Sequence, residues 1–208
     1  MTGLEAALVG AALAIALALR PWRLLAAHPK VATPVLAMLV VLPWMWALPA
    51  LHRSPLQLHW SGAVLALLMF GWPVAVPLLA AVAAIAWAVS PMGAAQALSL
   101  AVWQGIVPAT LALALGAAIR RWLPHNLFVY IFGRGFLGAV LCLFAAGLLA
   151  QAAGTPLPGV PTGLGRIAHW LMAWADAIVT GMLTAVFVAY KPEWLLTWSD
   201  ARYLHGEG

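Results

Sequence analysis

The chain has 208 residues, of which 65% are apolar and only 7% charged, with ten Lys and Arg against five Asp and Glu. A soluble globular domain needs far more polar surface, so the composition describes an integral membrane protein. The positive charges stand singly or in pairs beside apolar runs, so the net charge of +5 reports membrane topology and not a nucleic-acid-binding patch.

Hydropathy and chain breakers predict seven apolar segments, about 4–19, 34–51, 58–70, 73–89, 96–119, 127–153 and 164–190. The first carries Glu5 near its start and a row of small residues, Ala6, Gly10, Ala14 and Ala18, at i+4 spacing. That row suits close helix approach, or it is simply an alanine-rich span. The start Met1-Thr2-Gly3-Leu4-Glu5 has no basic n-region, so no cleavable leader is expected. The segment ends at Arg20-Pro21-Trp22-Arg23, and the second begins at Pro34 after Lys30. The third and fourth are short and joined by Gly71-Trp72, which predicts a tight helical hairpin that does not fully cross. Pro43, Pro77 and Pro108 fall inside segments and predict kinks whose freed carbonyls neighbouring helices must satisfy. The lone Cys142, inside an apolar run, excludes an internal disulfide and reads as packing. The expected fold is all-α: a polytopic membrane protein of about seven transmembrane or half-membrane helices, residues 1–208 forming one domain.

Lys and Arg set the expected orientation. With seven segments and the N-terminus outside, the cytoplasmic face receives Arg20, Arg23, Lys30, Arg120, Arg121, Lys191 and Arg202, and the outer face only Arg53 and Arg166. The chain is therefore expected to lie in a bacterial inner membrane, N-out and C-in. Trp22, Trp122, Trp194 and Trp198 then form a cytoplasmic belt, with Trp60 and Trp170 near the outer face.

This topology sorts the potential ligands. His28, His125 and His205 fall among basic cytoplasmic loops, whereas His52, His59, His169 and Glu5 fall at the outer ends of four segments. Imidazole with carboxylate suits a borderline divalent ion such as Ni²⁺, Co²⁺, Cu²⁺ or Zn²⁺, and ordinary interfacial residues are the alternative. His169 and Asp176 are seven residues apart and share one face of a helix, with a rise of about 10 Å between them. Asp176 is then near mid-membrane and needs an interior partner, for which Arg134, Gln104 and His59 are the candidates. No enzyme is indicated. Ser61, His59 and Asp176 lack a nucleophile-elbow setting, and Gly133-Arg134-Gly135 follows no strand. No resident cofactor is indicated either.

Three stretches, taken in order, resemble one family. They are Leu58-His59-Trp60-Ser61-Gly62-Ala63 with Gly71-Trp72-Pro73; Arg120-Arg121-Trp122-Leu123-Pro124-His125-Asn126-Leu127-Phe128; and Ala168-His169 with Asp176-Ala177-Ile178-Val179-Thr180-Gly181 and Pro192-Glu193-Trp194. Together they are similar to the membrane substrate-binding subunit of cobalt/nickel-type energy-coupling factor transporters, in a bacterial side branch of that group. The resemblance implies capture of a transition-metal ion from outside, with His59 matching the family's histidine ligand and Asp176 standing where the family usually has Glu. It also implies a separate transmembrane coupling subunit and cytoplasmic ATPases as partners. The family's metal-binding members carry a His at the second position, where this chain has Thr2, with Glu5 the neighbouring donor. The reading is a metal-uptake subunit without its own ATPase motif, with His59, His169, His52 and Glu5 at the metal and Asp176, Arg134 and Gln104 supporting or coupling. Its rival is a non-transporting subunit or assembly factor of a respiratory or metal-insertion complex.

Overall fold

Arg20 and Pro21 divide the first apolar run. Arg20 adopts a left-handed conformation (φ 55°), and Pro21, which has no N–H to lose, opens the next helix. Helix α1 (Thr2–Ala18) therefore meets α2 (Pro21–Ala27) at a 48° bend. The structure, a computed structural model, describes residues 2–52, 60–124, 126–157, 159–199 and 203, with the backbone alone at His52 and Thr162.

After a short 3₁₀ turn come α3 (Ala32–His52), α4 (Ala63–Phe70), α5 (Trp72–Val89) and α6 (Ala94–Leu100). A π-helical turn, Ala101–Ile106, joins α6 directly to α7 (Val107–Trp122). A second π stretch, Val129–Leu137, leads into α8 (Gly138–Ala152), and α9 (Gly165–Tyr190) is the longest helix. Among the described residues no strand occurs, and five helical rods are long and apolar enough to cross a membrane, or six if the bent α1–α2 pair is one span. The all-α polytopic fold expected from hydropathy is what the chain adopts.

The third segment is shorter than a crossing. Helix α4 spans eight residues, all buried, which is about 12 Å of helix in a hydrocarbon core of about 30 Å. Glycines bound it at both ends, Gly62 at φ 65° and Gly71 at φ 72°, so the chain enters and leaves sharply. Its walls are α5, α7 and α9, and its last turn meets the chain beyond α9, where Leu196 N–H donates to Met69 O (2.9 Å) and Thr197 Oγ1 to Leu68 O (2.7 Å). The half-helix is the axis around which the spans pack.

Two tryptophans sit deeper than an interfacial belt. Trp60 is half-buried and donates from Nε1 to Thr180 Oγ1 in mid-α9 (3.4 Å), and Trp198 is buried against Tyr130 and Tyr203. Trp22 and Trp122 remain exposed. The indole N–H explains Trp60, because a nearby interior hydroxyl is as good a partner as interfacial water.

Candidate functional site

Pro108 starts the site. It cannot donate the helical bond to the carbonyl four residues earlier, that of Gln104, so this carbonyl is free to accept from elsewhere. Ser61 Oγ donates to it. The surrounding π turn, closed by Val107 N–H on Val102 O, adds one residue to the helical turn and re-aims the side chains of Ala101–Ile106. A predicted kink thus becomes a docking point between helix and loop.

Ser61 is held from three sides. Its N–H donates to Asp176 Oδ2 on α9, its hydroxyl to the Gln104 carbonyl, and its own carbonyl accepts from Trp46 Nε1 on α3 (3.3 Å). Gly62, whose positive φ leaves no comfortable room for a side chain, then turns the chain into α4; a Cβ there would lie 2.8 Å from Leu42 Cδ1. Asp176, 5% exposed, also accepts from Thr180 Oγ1 one turn along α9 (3.0 Å). A buried carboxylate is tolerable because both oxygens accept hydrogen bonds.

Above this junction lies a cavity of about 190 Å³. It is walled by the last turns of α3 and α8, the first turns of α6 and α9, and the loop around Pro156, with Ser61, Gln104 and Asp176 among its lining. One stripe of α9, His169, Met172, Ala173 and Asp176, lines it at i, i+3, i+4 and i+7 spacing. His169 lies flat against Gly147 of α8, where any side chain would collide with the imidazole (2.7 Å to Cγ). Within the cavity wall two buried polar atoms have no hydrogen-bond partner, Gln104 Oε1 and His169 Nε2. Among the described lining residues Asp176 is the only acid, and none is Lys or Arg.

The other sequence-predicted residues fall as follows. Glu5 is buried, and its Oε1 accepts from Trp103 Nε1 (2.9 Å), whose ring lines the cavity. Arg134 lies elsewhere, in the second π stretch, with its guanidinium on Gly116 of α7, 5.2 Å from the Tyr130 ring centroid and 3.3 Å from the Tyr203 hydroxyl. The partners of Asp176 are therefore Ser61 and Thr180 in place of Arg134. His59 and the side chain of His52 lie outside the described residues. Among the described residues no three His, Cys, Asp or Glu side chains form a group able to hold a metal. Ser61 and Thr180 were not singled out from sequence as partners of Asp176; the i+4 spacing of Thr180 was the available signal.

Residues 3–194 match the family described as the cobalt uptake substrate-specific transmembrane region. The chain belongs to that family. It is thus a multi-pass membrane component of cobalt uptake, the part concerned with the substrate. No curated protein and no solved structure matches the chain.

For a member of this family the geometry has a direct chemical meaning. The cavity offers imidazole nitrogen, amide oxygen and one carboxylate, a donor set suited to borderline first-row divalent ions, beside the softer thioether of Met172.

Proposed function

We propose that this chain is the ion-capturing subunit of an energy-coupling factor type transporter for Co²⁺ or Ni²⁺, in a bacterial inner membrane. The ion enters the cavity from outside, with His59 as its principal ligand and His52, His169 and Glu5 as further donors. Asp176 anchors the cavity floor to α4 through Ser61 and reports occupancy to the far end of the bundle. A transmembrane coupling subunit and cytoplasmic ATPases supply the energy, since the sequence carries no phosphate-cradling loop of its own. The observation that carries the reading is the cavity itself: it lies at the end of the bundle away from Arg20, Arg120 and Lys191, and among the described residues that line it are buried donors and no Lys or Arg. With those basic residues cytoplasmic, the cavity faces outward, the N-terminus is outside and the C-terminus inside.

Isothermal titration of the purified protein with Co²⁺ and Ni²⁺ tests this. The wild type should bind at least one of the two, His59→Ala should lose that binding, and His125→Ala, at the opposite face, should retain it. A wild type that binds neither ion contradicts the proposal. Reporter fusions that place both termini on one side of the membrane would contradict the topology.

A further inference from the structure

Two atoms in the wall of the cavity lack what every other buried polar atom around them has. Ser61, Asp176 and Thr180 are each hydrogen-bonded, whereas Gln104 Oε1 and His169 Nε2, equally buried, are not. Leaving a buried polar atom unpaired costs about 1–3 kcal/mol, so two in one cavity call for a cause. Neither is an accident of a loosely held side chain. The π turn and the Ser61 hydroxyl fix the backbone of Gln104, and Gly147 makes room for the imidazole of His169.

The geometry points to a deep metal station in which His169 Nε2 and Gln104 Oε1 bind the ion directly, above the Asp176 carboxylate. The inference rests on the proposed function and goes further by naming a second position for the ion. Gln104 Oε1 carries lone pairs, and so does His169 Nε2 in the tautomer protonated on Nδ1, so one cation accepts from both. A first-row divalent ion ligates nitrogen and oxygen at about 2.0–2.2 Å, whereas a water needs about 2.9 Å to hydrogen-bond. A small ion therefore satisfies atoms that have no water-accessible surface. The remaining electrostatics agree: among the described residues of the wall Asp176 is the only acid, and none is Lys or Arg. The ligand class is a first-row divalent ion, Co²⁺ or Ni²⁺, held by one imidazole and one amide oxygen, with water in the cavity completing its coordination.

X-ray absorption at the cobalt K edge on the Co²⁺-loaded full-length protein counts imidazoles per metal, a readout that a purely structural role does not move. The spectrum of His169→Gln should show one imidazole fewer than the wild type, with affinity lower by roughly tenfold or more. Gly147→Ala removes no donor but displaces the ring, so it should give the same loss and serves if His169→Gln does not fold. Gln104→Met should weaken Co²⁺ binding while the ion-free protein melts no lower than the wild type, because the substitution removes an unpaired acceptor. An unchanged imidazole count in both His169→Gln and Gly147→Ala, or Co²⁺ affinity unchanged in Gln104→Met, overturns the deep station. The first result also removes His169 as a donor, and either leaves His59-centred capture of the ion standing. A wild type without bound Co²⁺ overturns both.

Discussion

The two π-helical stretches place a polar side chain in the bundle by the same backbone device and give it opposite surroundings. In Ala101–Ile106, Gln104 ends in a cavity with its amide oxygen unpaired. In Val129–Leu137, Arg134 is 6% exposed yet engaged, against Gly116, the Tyr130 ring and the Tyr203 hydroxyl. Around Arg134 the network continues without a gap, from Tyr130 OH to Thr197 Oγ1 (2.7 Å) and on to Leu68 O (2.7 Å). A widened helical turn is therefore not a binding site by itself. What separates the two regions is whether the neighbouring elements fill the donor and acceptor sites that the turn presents. The Arg134 region is closed by the protein, and the Gln104 region is left open for something else.

If that contrast is correct, substitutions should rank by how much paired polarity they strand. The largest stability loss is expected for Asp176→Leu, which leaves the Ser61 N–H and the Thr180 hydroxyl without their acceptor and should cost about 2–4 kcal/mol. Asp176→Asn keeps an acceptor and should cost less than half as much; equal losses for the two, by thermal melting in detergent, would remove the hydrogen-bonding role. Next comes Gly62→Ala, which combines a positive φ with a Cβ 2.8 Å from Leu42 Cδ1 and should cost about 1–3 kcal/mol. A neutral result there would mean that the turn into α4 is not tightly determined. Tyr203→Phe keeps the ring stack on Trp198 (4.8 Å between centroids) but drops the hydroxyl facing Arg134, for an expected loss of about 1 kcal/mol and no change in Co²⁺ affinity. The smallest effect belongs to Lys191→Ala, since the Lys191–Glu193 pair is 3.9 Å apart and Lys191 is 54% exposed; less than about 0.5 kcal/mol is expected.

Much of this architecture was legible in the sequence because the membrane makes hydropathy a strong signal. The apolar runs, the break at Arg20-Pro21 and a short third segment ending at Gly71 follow from composition and backbone sterics alone. The fourth segment, read with it as a hairpin that does not fully cross, is instead the 18-residue α5, long enough to span. The i, i+7 pairing of His169 with Asp176 placed both on one face of α9, and both line the cavity. The π turns were not legible. A one-residue widening leaves no mark on hydropathy, and here it depends on a hydroxyl, Ser61 Oγ, that arrives from 43 positions away. Pro108 announced that the Gln104 carbonyl would be free, but not what would take it. For the same reason spacing did not reveal Trp103, 98 positions along the chain, as the residue that donates to Glu5 Oε1. Long-range side-chain pairing is set by how helices pack, which spacing along one helix does not encode.

The most direct test of the account is to locate the ion. Anomalous diffraction at the cobalt edge, from crystals of the wild type loaded with Co²⁺, should place a peak inside the cavity, within ligating distance of His169 Nε2 and Gln104 Oε1 and above Asp176. A single peak at the opposite end of the bundle, beside His28 and Glu193 for instance, with the cavity empty, would contradict it.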